Sequence, residues 1–163
     1  MEALLKELYL SSDFHSFKEG DFLVIRVIDF YKKSGFVLTS RIKNAPPKKS
    51  RPIIITETAD EKVRFVATTT DLNSRKDRPK IHTKECTIKK SPEECFGLHL
   101  NRKYSWLFAK KTQKTKRWRV YYSVDVYTLK QMFAEGTLKK CGNCPQSVIL
   151  EIEKKINDMG EVV

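Results

Sequence analysis

The chain has 163 residues, of which 40% are hydrophobic and 10% aromatic, which is enough apolar material for a buried core and excludes an intrinsically disordered protein. Its 32 Lys and Arg residues against 20 Asp and Glu residues give a formal net charge of +12. This charge favours a polyanion as the partner, and a nucleic acid is favoured over an anionic membrane surface. We find no apolar run that could cross a membrane and no secretory signal at the N-terminus, so we expect a cytoplasmic protein.

The first half of the chain predicts one short helix and then mostly strands. Leucines on one face predict the helix, and the strands are rich in β-branched and aromatic residues. Phe22, Val24 and the Val27/Ile28 pair are expected to form the core of the first strand. In chain order the predicted elements are a helix over 1–12, strands within 17–33 and 34–42, a proline- and lysine-rich loop over 43–50, a hairpin of strands 52–56 and 62–69, a basic loop over 71–80, and a strand over 80–88.

The second half predicts two more strands and two helices. Val148, Ile149, Ile152 and Ile156 form one apolar stripe of the last helix. The elements are a capped helical turn within 91–100, strands over 103–111 and 117–129, a short helix over 128–138 that ends at Gly136, and a helix within 144–160. We therefore predict a single domain over 1–163, mainly β with α additions, built as a small curved antiparallel sheet or barrel with a C-terminal helix.

Polar groups lie at one end of the predicted hairpin. Arg51 precedes Pro52 at the start of the first strand, and Thr68, Thr69 and Thr70 end the second. Because the hairpin is antiparallel, these ends meet at one rim of the sheet. A guanidinium binds phosphate oxygens in a bidentate manner, and a hydroxyl can hold a phosphate oxygen or the attacking 2′-OH of RNA. The alternative to a phosphate site is a purely structural role, because threonine is a good strand residue and arginine can cap the edge of a sheet.

The order of several short motifs resembles the MazF/PemK family of toxin endoribonucleases. These motifs are GDFLVIRVIDF, RPIIIT, VATTTD and RPKIHTKECTI, and the end AEGTLKKCGNCPQSVILEIEKKI is similar to the closing part of the family. The resemblance covers residues 18–90 and, more loosely, 133–156. It implies an SH3-like barrel core over 18–90 and a C-terminal helical part over 133–160. It also implies a homodimer that cleaves single-stranded RNA without a metal or other cofactor and is neutralised by an antitoxin.

The resemblance also implies roles for particular residues. By position Arg51 would be the catalytic arginine and Thr70 the catalytic hydroxyl, with Thr69 taking its place if the strand register is shifted by one. The RNA strand would follow residues of the basic loops and the next strand, namely Lys48, Lys49, Arg75, Lys76 and His82. His82 is also a candidate general acid or base, or simply a polar strand residue.

Three features depart from the family pattern and keep other functions open. The segment between Gly20 and Arg51 is longer than usual, residues 96–132 add at least one strand, and there are four cysteines. Residues 103–122 interleave basic and aromatic side chains, which suits base stacking on an exposed face, and the lysines of the turn are expected in solvent. The alternatives are a non-catalytic nucleic-acid-binding barrel, with or without a stabilising zinc ion, and a module whose basic surface binds an acidic protein.

The four cysteines leave three possibilities open. Cys141 and Cys144 form a Cys-x-x-C like that of a zinc knuckle, and Cys86 and Cys95 lie further apart. Together they could complete a tetrahedral thiolate site, pair as disulfides or remain as thiols, and we assign no metal ligand from the sequence.

Overall fold

The protein is described by a computed structural model that covers residues 16–69, 78–112, 114, 116–160 and 162. The helix expected over 1–12 lies outside these residues. In the described part the strands are β1 (Asp21–Arg26), β2 (Ser50–Ala59), β3 (Lys62–Thr69), β4 (Lys80–His82), β5 (Thr87–Ile88), β6 (Tyr104–Leu107), β7 (Lys110–Lys111), β8 (Trp118–Arg119), β9 (Tyr121–Asp125) and β10 (Leu138–Asn143). The α-helices are α1 (Val27–Ser34), α2 (Val126–Glu135) and α3 (Gln146–Met159), and short 3₁₀ turns cover Ile42–Asn44 and Pro92–Cys95.

An open sheet of antiparallel strands is the main element, as the mainly β prediction requires. Its strand order is β4-β6-β3-β2-β1-β10-β5, with β9 paired beside β3, while β7 and β8 form a separate ribbon. The β2–β3 hairpin is central, and its turn at Asp60 and Glu61 uses two residues with positive φ. None of the helices in the described ranges is long and apolar enough to cross a membrane.

The central strands bury side chains on both faces, because successive residues of a strand point to opposite sides. On one face Ile53 and Phe65 pack with α1 and α2 in a core that we call the α1/α2 core. On the other face Ile54 and Val66 pack with α3 in a second core, the α3 core. The predicted stripe of α3 is confirmed, and all four of its residues are buried there.

The sheet is strongly curved. β4 and β5 stand at opposite ends of the path of seven strands, yet only residues 83–86 connect them. Five Cα–Cα steps of about 3.8 Å span at most about 19 Å. In a flat sheet, six interstrand spacings of about 4.8 Å would separate these strands by about 29 Å. The two ends of the path are therefore brought toward each other.

Two predictions for the segment before the hairpin are wrong. The first strand ends at Arg26, and Val27 begins α1, where Val27 and Phe30 are buried on one side and Gly35 ends the helix. The expected strand over 34–42 does not form either. Both edges of β2 are already paired, with β1 and β3, so this segment cannot form a hairpin with the strand that follows it in the chain. It contributes Leu38 to the α1/α2 core as irregular chain.

Later strands are shorter than predicted, and one was missed. The strand over 80–88 is split into β4 and β5, that over 103–111 into β6 and β7, and that over 117–129 into β8 and β9, with α2 beginning at Val126. The sequence analysis missed β10, which pairs with β1 through a register shift between Phe22 and Leu23. That irregularity breaks the alternation of buried and exposed residues by which a strand is recognised.

The cysteines form two disulfides, Cys86–Cys144 and Cys95–Cys141. Each joins one member of the first cysteine pair to one of the second, and Cys141 lies within β10 rather than in a knuckle turn. The disulfides thereby tie residues 86–95, which lead into the segment 98–102, to β10 and to Cys144, which directly follows it.

His82 fixes α3 against the end of β4. Its backbone N–H donates to Glu151 Oε1 at 2.6 Å, and its Nδ1 lies 2.9 Å from Oε2. Partial burial raises the pKa of Glu151, but the hydrogen bonds from His82 outweigh it and hold the pKa below the ordinary value of 4.5. The contact therefore favours the ionised carboxylate.

We expect Ile152→Ala to lower the free energy of unfolding by about 2–5 kcal/mol, because it leaves a cavity in the α3 core. Leu150→Ala is the matched control on the same helix, where the side chain is 56% exposed. It should change stability by no more than about 0.5 kcal/mol. Urea denaturation measures both, and equal effects would contradict the packing of α3.

We expect Glu151→Gln to make the protein less stable than wild type at neutral pH, and the difference to shrink as pH falls. A carboxylate with a lowered pKa contributes stability above its ordinary pKa of 4.5, and this is lost as pH falls through the lowered pKa. Urea denaturation of both proteins at neutral pH and below pH 4.5 measures the effect. A difference that persists unchanged in acid would show that the charge of Glu151 does not matter.

Candidate functional site: a basic cleft at the open end of the hairpin

The hairpin brings the start of β2 beside the end of β3. Ile53 pairs with Ala67, so Arg51 and Thr69 each lie two residues further along, toward the open end. Alternation places Arg51 on the face of Ile53, and Thr69 on the face of Ala67, which is the face of the α1/α2 core. The expected meeting of the arginine with the threonines is therefore present. In this register Thr69, rather than its neighbour Thr68, lies on the same face of the sheet as Arg51.

Arg51 is held in a fixed position although its side chain is charged. The residue is only 9% exposed. Its Nε donates to the carbonyl oxygen of Leu38, and its Nη1 donates to that of Thr68 at 3.3 Å. The irregular segment that replaces the predicted second strand thus supplies one of the two acceptors. These bonds orient the plane of the guanidinium before any ligand is bound.

A cleft of about 310 Å³ opens where Arg51 lies. Its walls come from the open end of the hairpin, the segment after α1, residues 98–102, and the stretch that runs from Ser105 in β6 to Phe108. Its charged or polar lining residues are Thr39, Ser40, Lys49, Ser50, Arg51, Thr68, Thr69, Arg78, His99, Arg102 and Ser105. Four of these are Lys or Arg, and within the described ranges no Asp or Glu lines the cleft. Such a site has a positive potential and suits an anion.

The Phe108 ring links two of the cations. The guanidinium carbon of Arg51 lies 4.6 Å from the ring centroid and that of Arg78 lies 5.3 Å from it, both within cation–π range. Arg102 is held differently, since its Nε donates to the carbonyl oxygen of His99 at 3.2 Å. The cleft therefore contains guanidinium groups from three separate parts of the chain.

The sequence analysis missed Arg78, His99, Arg102 and Ser105 as residues of the site. Arg78 precedes Pro79 just as Arg51 precedes Pro52; Pro52 is the third residue of β2, and Pro79 directly precedes β4. This repeated Arg-Pro pair was a usable indication. Nothing comparable marks His99 or Arg102, which line the cleft from the segment that follows the disulfide-linked residues 86–95.

The predicted site residues divide into three groups. Arg51, Thr69 and Lys49 line the cleft. Lys48 is exposed and outside the lining, and its carbonyl oxygen accepts a hydrogen bond from Arg26. The predicted residues that lie outside the described part of the chain are Thr70, Arg75 and Lys76.

His82 does not line the cleft. Its side chain is 63% exposed and pairs with Glu151 on α3. The structure thus places this residue at the junction of β4 and α3 rather than beside Arg51.

Among the residues that the structure describes, no group of three or more His, Cys, Asp or Glu side chains is arranged to hold a metal ion. The donors of the cleft are guanidinium, ammonium and hydroxyl groups, which bind oxyanions rather than cations.

The chain was compared with models of protein families, with curated proteins and with solved structures, and no match was found in any of the three comparisons.

Proposed function

We propose that the protein is a metal-independent endoribonuclease that cleaves single-stranded RNA, the toxin of a toxin–antitoxin pair. The observation that carries the proposal is the buried, pre-oriented guanidinium of Arg51 on the wall of a cleft that also holds Thr69 and three further cationic side chains. A phosphodiester meets the requirements of such a cleft, because it is anionic and gains negative charge on its oxygens in the transition state.

In the proposed reaction the 2′-OH of the RNA attacks the adjacent phosphorus atom. Its proton leaves to a base, the bond from phosphorus to the 5′-oxygen breaks, and the leaving 5′-oxygen takes up a proton. A 2′,3′-cyclic phosphate and a 5′-OH are the products. Arg51 stabilises the equatorial oxygens as phosphorus gains a fifth ligand, and a threonine hydroxyl positions one of them. The nucleophile belongs to the substrate, so neither a metal-bound water nor a protein nucleophile is needed.

We assign the hydroxyl to Thr69, because its position in β3 corresponds to that of Arg51 in β2. The role of Thr70 as the catalytic hydroxyl remains a proposal from the sequence. The same holds for Arg75 and Lys76 as contacts to the RNA strand. Lys49, Arg78 and Arg102 are the described cations that we expect to neutralise phosphates on either side of the scissile one.

The proposal extends to architecture and partners. The curved open sheet, whose two end strands are joined by residues 83–86, supports a diverged SH3-like barrel. An antitoxin is expected to carry an acidic segment that occupies the basic cleft, and the homodimer is proposed from the resemblance alone.

We expect the purified protein to cut a long single-stranded RNA at discrete sites in the presence of EDTA. Arg51→Ala should slow the cleavage by at least about 10²-fold, as expected for loss of a group that stabilises a developing oxyanion. Arg51→Lys keeps the charge without the planar fork and should recover only part of the rate. Mapping of the cut ends measures the rate and the preferred sequence, and circular dichroism checks that the variants are folded.

Thr69→Val tests the hydroxyl, and Thr58→Val is its matched control. Thr69 lines the cleft, whereas Thr58 is an exposed residue near the turn of the same hairpin, at the opposite end of β2. We expect slow cleavage by Thr69→Val and nearly normal cleavage by Thr58→Val. Equal rates for both variants would exclude Thr69, and a defect in Thr70→Val alone would move the role to that residue.

A second function is favoured by one observation, namely that backbone carbonyls accept two N–H groups of Arg51. This arrangement also suits a site that binds RNA without cleaving it. In that case the wild-type protein would bind single-stranded RNA with an affinity that falls steeply with salt, and no cuts would be found. Gel-shift titration at several salt concentrations, beside the cleavage assay, distinguishes the two functions.

A further inference from the structure

A second cleft lies beside the ribbon of β7 and β8. It has a volume of about 370 Å³ and is lined by Val37, Lys110, Lys111, Thr112, Arg119 and Tyr122. The ribbon pairs Lys110 with Arg119, so cations from both of its strands border the cleft. Within the described ranges, no Asp or Glu is among the lining residues. This cleft belongs to the part of the chain that has no counterpart in the family pattern.

The Tyr122 hydroxyl is a buried polar group that lacks a hydrogen-bond partner among the described residues. The residue is 1% exposed. Its ring is stacked on Phe65 and meets Phe36 edge-on, with ring centroids 5.7 Å and 5.5 Å away. A buried hydroxyl without a partner is costly, so a hydroxyl rather than a phenylalanine at this position calls for an explanation.

Positive charge surrounds this hydroxyl. Burial raises the pKa of Tyr122 to about 12, although the nearby guanidinium groups of Arg119, Arg51 and Arg78 act to lower it. At neutral pH the group is therefore a neutral O–H that can donate one hydrogen bond. An anion is the acceptor that three neighbouring cations favour.

Tyr122 also connects the two clefts. Arg51 and Arg78 line the first cleft, and Tyr122 and Arg119 line the second. Tyr122 lies within electrostatic reach of all three arginines, so it lies near cations of both clefts. Arg119 lies over the Phe36 ring, 5.2 Å from its centroid, which keeps this guanidinium at the rim.

We propose that the second cleft is a phosphate subsite for the RNA strand whose scissile phosphate occupies the first cleft, with Tyr122 donating its hydroxyl hydrogen to a phosphate oxygen and Arg119, Lys110 and Lys111 neutralising the charge. The inference rests on the proposed binding of single-stranded RNA. Successive phosphates of one strand are the anions that two nearby cationic clefts can bind at the same time.

The test measures binding separately from cleavage. A labelled 2′-O-methyl oligoribonucleotide serves as probe, because it lacks the 2′-OH nucleophile and stays intact. Its dissociation constant is measured by fluorescence anisotropy over a series of salt concentrations. The variants are Tyr122→Phe and Arg119→Gln, and the controls are Tyr31→Phe, at a tyrosine 40% exposed on α1, and Lys154→Gln, at an exposed lysine on α3.

We expect Tyr122→Phe and Arg119→Gln each to weaken binding about 10- to 150-fold, the effect of one lost hydrogen bond to a charged group. Arg119→Gln should also reduce the slope of log affinity against log salt by about 0.7, the value for one phosphate contact on a single strand. Neither control should change affinity. Tyr122→Phe should melt at the wild-type temperature or above it, because the hydroxyl has no hydrogen bond to lose among the described residues.

Unchanged affinity and salt slope in both variants would overturn the subsite. If Arg51→Ala still abolished cleavage in that case, the proposed endoribonuclease function would stand without the second subsite. If the wild-type protein bound the probe but cut no RNA, a defect in Tyr122→Phe would still support the subsite, since the readout does not depend on cleavage.

Discussion

The whole structure depends on the burial of the β2–β3 hairpin on both of its faces. Ile53 and Phe65 face one core while Ile54 and Val66 face the other, so helices must cover the hairpin on both sides. A strand that is apolar on both faces can place polar side chains only where it leaves the core. Arg51 and Thr69 stand at that boundary, and this explains why a guanidinium begins one strand and hydroxyls end the other. The position of the candidate site is thus a consequence of how the core is built.

The desolvation cost of nearly burying the Arg51 guanidinium at the boundary is reduced by groups from elsewhere in the chain. Two carbonyl oxygens accept its N–H groups, and the Phe108 ring lies against its guanidinium. A cation that is nearly buried but fully oriented is suited to an anion that arrives with little water, because the electrostatic attraction is stronger there than in bulk solvent. The same reasoning applies to Tyr122, whose hydroxyl lies in an apolar aromatic cluster but among three guanidinium groups. Both features support the proposal that the partner is a chain of anions rather than a single one.

Much of the architecture could be predicted. The hairpin, the capped turn at Ser91, the helix that ends at Gly136 and the apolar stripe of α3 follow from periodicity, turn residues and capping, which act over a few residues. The failures have a common cause. Val27 and Ile28 continue an apolar run that reads as strand, but the chain turns there into α1. Leu38 belongs to a segment of good strand composition that cannot pair with β2, whose two edges are occupied, and β10 is hidden by its irregular pairing with β1.

The sequence by itself determined the basic charge, the mainly β class and the neighbourhood of Arg51 and the threonines, because the two strands of a tight hairpin fix the register of their own ends. Only the tertiary structure decided which other residues share the cleft. Arg78, His99 and Arg102 lie far along the chain from Arg51, and the folded chain places them in the same cleft. The pairing of those cysteines and the isolation of the Tyr122 hydroxyl were likewise decided there. Contacts of this kind depend on how distant segments pack, which no local pattern of residues encodes.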